Sequence, residues 1–471
     1  MAVTFLPMDC WDQRLVAELL ESEPALLSSL DFGPRVEQGI GDGPSLLIGD
    51  QSEIPLLAST QGSRLDYRMA LLAKPGDSVL VRRQVPDFEA YLANSLGLEN
   101  VEYFHGHSDD ARPVTQQAST TAKMLEMLAD TALRSGGMTL KPYLTTGHCW
   151  RLAQTLSEAT KCCIHVCGPS PRLAQRVNDK LWFGQVARRI LGNRATPPSR
   201  AAYGPAAAAG LVSRISKAGN QVVVKVPDSA GSAGNLRLER AMVQGKSLDE
   251  LRKFLLHRLH AFGWQDKYPI LVGVWDENVT CSPSAQIWVP LVQDGPPIVE
   301  GIFEQRVRDS MAAFVGAARS TLPQALQSRL SAEASRIASI FQRLGYFGRC
   351  SFDAVIFRAA DGADEIHWIE CNGRWGGVSI PMTVAGALYA NQPAPAISIV
   401  QELRRGSQMQ TKEFLRRLGD LLFRAGRDTE GIVVMSPPED ENGVRINLLS
   451  LSQTQGSCDE ILKEAMQRVL N

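Results

Sequence analysis

The chain has 471 residues, room for two to four domains, and its 44% apolar and 21% charged side chains are an ordinary balance for a globular protein. A net charge of −1 excludes bulk electrostatic attraction to nucleic acid or to a membrane surface, and no run of roughly 18 apolar residues is present to span a bilayer. The start, MAVTFLPMDCW, lacks the basic and apolar regions of a secretory signal, and the nine cysteines form no CxxC pair. Cys162, Cys163 and Cys167 cluster without a second ligand pair at zinc spacing. Reduced thiols in a cytoplasmic protein are the expectation.

In chain order, residues 1–43 read as a helical lead-in, with helical apolar spacing in VAELLESEPALLSSL. GIGDG then precedes a strand instead of following one, so it reads as a loop and not as a dinucleotide fingerprint. From Ser45 to Val166 strand candidates (SLLIG, SVLVRR, VEYFH, TLKPYL, CIHVC) alternate with helical ones (SRLDYRMALLAK, PDFEAYLANSLG, STTAKMLEMLADTALRSG, CWRLAQTLSEAT). That alternation predicts a parallel, doubly wound α/β domain. His105 and His107 have no acidic or cysteine partner nearby in sequence and read as loop residues.

RLAQRVNDKLWFGQVARRILG has a rough helical period and reads as one helix. Next, QVVVKVPDSAGSAGN embeds Lys225 in an apolar strand, where a charge needs a partner. It continues into Gly231, Ser232, Ala233, Gly234 and Asn235, a small-residue loop whose backbone N–H groups can approach an anion. LRLERAMV reads as a helix whose N-terminus adds its dipole. A strand lysine beside a glycine loop suits a triphosphate, although it is not a Walker A motif; a turn with an incidental lysine is the plain alternative. YPILVGVWDENVTCSPSAQIWVP reads as two strands around a turn.

The stretch GYFGRCSFDAVIFRAADGADEIHWIECNGRWGG holds two β-rich runs around Asp361-Gly362, a strong hairpin signal. With those two residues at the centre of the turn, Asp353 falls directly opposite Glu370, and Ser351 opposite Asn372. Opposed carboxylates in apolar strands repel unless a cation neutralises them. Asn372 shares the face of Glu370. Asp353, Glu370 and Asn372 thus form an all-oxygen set suited to Mg²⁺. Val355 and Trp368 are expected on that face, and Phe352, Ala354 and Ile369 on the other. Solvated acids at one end of a hairpin are the plain alternative. NQPAPA reads as a linker. Beyond it come a helix, KEFLRRLGDLLFRAG, a hairpin around Asn442-Gly443 and an amphipathic helix, CDEILKEAMQRVL.

A strand Asp followed by Glu370-Cys371-Asn372-Gly373-Arg374 resembles the metal-binding end of an ATP-grasp ligase. IECNGRWGGVSIP is similar to the pheganomycin-type peptide ligases, the branch with a pre-ATP-grasp domain, which RMALLAKPGDSVLV and PDFEAYLANSLGL also resemble. The resemblance implies a pre-ATP-grasp domain over 1–175, an ATP-grasp domain of two α+β subdomains over 176–392 and a small C-terminal α+β domain over 393–471. It implies that Lys180, in Asn178-Asp179-Lys180, and Lys225 reach the phosphates of ATP, and that a hinge at Val274, Trp275 and Asp276 meets adenine. Arg374 and Arg349 then face charge at the transferred phosphoryl group. Many relatives carry acids where this chain has Gly273, Ser284 and Gln286, which leaves Asp276 and Glu277 as the nearby acids.

The activity so implied is ATP- and Mg²⁺-dependent ligation of a carboxylate to an amine through an acyl phosphate, releasing ADP. Amino acids or peptides of secondary metabolism are the expected substrates, and a homodimer is an admissible assembly. A catalytically degenerate ATP-binding scaffold, and a carboxylate kinase or carboxylase on the same fold, stay open beside it.

Overall fold

The computed structural model describes residues 10–56, 65–107, 110–229, 234–308, 313–359, 361–390 and 395–470. The alternation of the first third closes there into a parallel sheet of β1 (Val36–Gln38), β2 (Ser45–Ile48), β3 (Ser78–Val81), β4 (Glu102–His105), β5 (Gly137–Pro142) and β6 (Cys163–Val166), in the order β1-β6-β5-β2-β3-β4. Every residue of β2 and β3 is buried, as in a sheet covered on both faces. β2 to β6 are the predicted strands. β1 lies inside the expected helical lead-in, which otherwise forms a helix, Cys10–Ser22, and a 3-10 helix, Pro24–Phe32.

Two helices expected to be continuous are broken. Thr121 adopts an extended backbone between helices Val114–Thr120 and Ala122–Ser135. Asp179 divides Pro171–Val177 from Lys180–Leu191: its carboxylate accepts from the N–H groups of Leu181 and Trp182, the N-cap role that starts a new helix.

A second sheet, antiparallel, contains β7 (Ser199–Ala202), β8 (Val222–Lys225), β9 (Asn235–Leu238) and β10 (Ile270–Val274), in the order β7-β10-β8-β9. β9 corrects the expected helix after the glycine loop. Leu236 and Leu238 alternate into one apolar cluster with Val222 and Val224, a period of two instead of 3.6. Only Arg240–Val243 is helical, so no helix dipole follows the loop directly.

The third sheet is antiparallel and has ten strands: β11 (Val279–Cys281), β12 (Pro283–Val289), β13 (Ile298–Arg308), β14 (Ala313–Arg319), β15 (Gly348–Arg358), β16 (Asp364–Asn372), β17 (Ala396–Arg405), β18 (Gly431–Val434), β19 (Glu439–Asp440) and β20 (Gly443–Ser452). β14 pairs with β17, so the sheet runs unbroken into the last 75 or so residues. One apolar core joins Tyr67, Phe88 and Leu92 of the first third to Ile397, Ile399 and Leu449 of these strands.

Candidate active site

A cavity of about 400 Å³ lies where the three sheets meet. Strand alternation puts one phosphate-contact candidate, Lys225, on its wall. Val222 and Val224 point into the core, while Val223 and Lys225 line the cavity. Burial lowers the Lys225 ammonium to about 8, and Lys180 adds to the fall, while Glu370 and Asp276 oppose it.

The β15–β16 hairpin supplies the acids. Asp353 stands opposite Glu370 and Ser351 opposite Asn372, as the turn predicts. The register then slips, so that Ala354 meets Trp368 and Ile369 bulges. The cause is the turn, in which the strands end at Arg358 and Asp364 and leave an odd-numbered loop centred on Asp361. The extra residue at Ile369 restores the acid pair. It also exchanges two side chains relative to expectation: Ile369 lines the cavity beside Val355, and Trp368 enters the core beside Phe352 and Ala354.

Among the described residues Asp353 accepts only from neutral donors: Ser284 Oγ at 2.6 Å, Asn372 Nδ2 at 3.0 Å, and the Gln305 side chain. Burial and the facing Glu370 push its carboxyl up to about 6. Burial would also raise Glu370, but Lys180, Lys225 and Arg374 outweigh it and hold that carboxyl below its usual range. The opposed carboxylates are a hard donor set that fits Mg²⁺, and the Asn372 amide beside them turns its Nδ2 to Asp353 and its Oδ1 to Arg374.

Ser284 and Gln286 occupy positions where acids were noted as missing. They form a relay, Gln286 Nε2 donating to Ser284 Oγ at 2.8 Å and Ser284 to Asp353. Arg374 lines the cavity, donating to Asn372 Oδ1 at 2.5 Å and to Asn178 Oδ1. Asn178 also accepts from Gly373 N at 3.1 Å. A Cβ at Gly373 would fall 2.3 Å from Val177 Cγ2, so only glycine lets this clamp close.

Other candidates sit elsewhere. Lys180 is 4% exposed and does not line the cavity; its ammonium meets Glu370 Oε2 at 3.1 Å and donates to the Ser229 carbonyl. Arg349 pairs with Glu300 between the rings of Trp288 and Trp375, 5.5 and 5.3 Å from their centroids, also off the cavity wall. Gly231, Ser232 and Ala233 lie outside the described residues. Gly234 adopts φ +79° and Asn235 lines the cavity.

Val274, Trp275 and Asp276, at the end of β10 beside β8, also line the cavity. The N–H groups of Val274 and Trp275 are already bonded to the carbonyls of Pro198 and Gln221. Asp276 Oδ2 is fixed by His367 Nδ1 at 2.9 Å, whereas Glu277 turns to Gln221 Nε2 at 2.7 Å. His367 was overlooked in the sequence because its partner lies 91 residues away.

His105 meets Glu89 Oε1 at 3.1 Å, an acid partner from the preceding helix. The ligand atoms of Glu37, Cys163 and His165 lie within 4.8 Å of one another, a grouping made by β1–β6 pairing and invisible to cysteine spacing. The eight cysteines with described side chains are free thiols. Among the described residues no helix is long and apolar enough to cross a membrane.

Comparison with known proteins gives the same architecture. Residues 66–157 match the pre-ATP-grasp domain family. Among curated proteins none matches the chain in sequence. An ADP complex of N5-carboxyaminoimidazole ribonucleotide synthetase is 13% identical, with TM-score 0.55 over 91% of this chain and 98% of that one. Biotin carboxylase from Campylobacter jejuni, in complex with a β,γ-ATP ligand, is 16% identical, with TM-score 0.55 over 91% of each chain. The biotin carboxylase domain dimer of Hydrogenobacter thermophilus 2-oxoglutarate carboxylase, with MgADP and bicarbonate, is 12% identical, with TM-score 0.53 over 91% and 90%. The chain therefore has the ATP-grasp fold, preceded by a pre-ATP-grasp domain.

Proposed function

We propose that the chain is an ATP-dependent, ADP-forming carboxylate–amine ligase acting through an acyl phosphate, with amino acid or peptide substrates. The observation that carries this reading is the gathering of Lys225, Arg374, Asp353, Glu370 and Asn372 around one cavity. ATP lies with its adenine toward Val274 and Trp275 and its ribose toward Asp276. Lys225 and the loop ending at Gly234-Asn235 grip the phosphates. Asp353, Glu370 and Asn372 are the residues that would hold Mg²⁺, which supplies positive charge to the phosphate oxygens when bound. A carboxylate oxygen attacks the γ-phosphorus, and the bond to the β-phosphate oxygen breaks with its electron pair leaving on ADP. Arg374 faces the charge that develops there. The amine then attacks the acyl carbon, loses a proton and expels phosphate.

Lys180 acts through Glu370, fixing that carboxylate rather than touching phosphate. Arg349, held between Trp288 and Trp375 and paired with Glu300 off the cavity wall, takes no direct part in the transfer. The divisions 1–175, 176–392 and 393–471 remain our assignment of the domains, and a homodimer our assignment of the assembly.

The test is turnover with hydroxylamine in place of the amine. A hydroxamate should appear with one ADP per turn; AMP and pyrophosphate as stoichiometric products would sink the mechanism. A carboxylase is the second reading, favoured by the synthetase and carboxylase folds that match. ADP release dependent on bicarbonate and not on an amine would select it.

A further inference from the structure

Residues of the pre-ATP-grasp domain and of β17 form one part of the cavity wall. Arg68 lies there, 3% exposed, on the 3-10 helix Leu65–Leu72. Among the described residues its guanidinium makes two long contacts, Nη1 to Gln401 Oε1 at 3.3 Å and Nη2 to Tyr143 Oη at 3.3 Å, and lies 5.3 Å from the Tyr143 ring centroid. Neither Nε of Arg68 nor Nε2 of Gln51, another buried donor that lines the cavity, has a partner among the described residues. Among the described residues no carboxylate pairs with Arg68. A buried guanidinium left with neutral contacts and orphaned donors is costly unless an anion completes it.

Resting on the ligase reading, we propose that Arg68, with Gln51 and Tyr143, binds a carboxylate of the substrate at the end of the molecule remote from the reacting group. The charge count favours a carboxylate over a phosphate. Arg68 offers one uncompensated positive charge, and Arg445, another arginine lining the cavity, is already neutralised by Asp440 at 2.5 Å. A single negative charge with two coplanar oxygens matches one guanidinium fork. The reaction thus selects acidic substrates, in which one carboxylate is held as a handle while another group reacts.

The test uses the full chain saturated with Mg-ADP, so that Lys225 and its neighbouring cations are occupied. N-acetylglycine, its amide and inorganic phosphate are then titrated separately by calorimetry. N-acetylglycine should bind, and the amide at least about ten-fold more weakly. Arg68→Met should weaken N-acetylglycine by about ten- to hundred-fold, the effect of one charged hydrogen-bonded contact, without altering Mg-ADP binding. Arg68→Lys should weaken it less. The apo thermal midpoint of Arg68→Met should stay level or rise, because an unpaired buried charge has gone. Equal binding by wild type and Arg68→Met, no binding of N-acetylglycine, or tighter binding of phosphate overturns the proposal. So does a lower apo midpoint in Arg68→Met that Arg68→Lys restores, since the charge would then be structural. Failure to bind Mg-ADP would count against the ligase reading alone, and the same titrations on the nucleotide-free chain would still decide the carboxylate site.

Discussion

Asp353 and Glu370 face each other directly across β15 and β16, yet they are held in opposite electrostatic states. Three cations stabilise the Glu370 carboxylate, while Asp353 is surrounded by neutral donors. Their removal should therefore differ. Asp353→Asn should abolish ADP release and leave the apo protein at least as stable, because one of two repelling acids is gone. Glu370→Gln should abolish turnover and also destabilise by about 3 kcal/mol, because it leaves the buried Lys180 ammonium without its carboxylate. Urea unfolding of both variants checks this; equal stabilities would contradict the Lys180–Glu370 assignment.

Lys225→Met keeps the apolar stem of a strand residue and removes its charge. ATP affinity should fall by about 1–3 kcal/mol in calorimetry, with apo stability unchanged, since burial already disfavours that charge. Wild-type affinity in the variant would make Lys225 structural.

Gly373→Ala tests the clamp beneath Arg374. The added methyl overlaps Val177, so the Asn178–Gly373 contact must open. A stability loss of about 1–3 kcal/mol is expected from overpacking, together with a fall in kcat, because Asn178 and Asn372 aim Arg374. Unchanged kcat with lowered stability would show that the clamp does not position the arginine.

Asp66, on the same 3-10 helix as Arg68, gives a pH dependence of stability. Burial raises its carboxyl to about 6, with Asp50 adding to the rise, although the N–H groups of Arg82 and Tyr67 donate to it. A raised acid binds its proton more tightly in the folded chain. Its contribution to stability is therefore greatest below the ordinary carboxyl range and is lost as pH rises through about 6. Asp66→Asn should remove up to about 2 kcal/mol of that decline, seen as a flatter stability profile between about pH 4 and 7. Parallel profiles would show that Asp66 is not the titrating group.

Local pattern made the parallel sheet and the acid pair legible. Five of the six parallel strands are short apolar runs bounded by turn residues, and the lysine embedded in an apolar strand marked Lys225 as a charge that needs a partner. What stayed hidden depended on pairings between distant segments. A two-residue turn and a five-residue loop with a compensating bulge both set Asp353 against Glu370, and only the fold reveals that Ile369, not Trp368, faces the cavity. Lys180 looked like a phosphate contact because its neighbour Glu370 is 190 residues away. NLRLERAMV reads as a helix by composition, but pairing with β8 imposes a period of two on its first half.

The unbroken ten-stranded sheet bears on how far the chain can be shortened. A truncation after residue 390 would strip β14 of its neighbour and leave an open strand edge, a template for self-association. A fragment ending there should be prone to aggregate, and its cavity would lose the side chains of Gln401 and Arg445 from the wall.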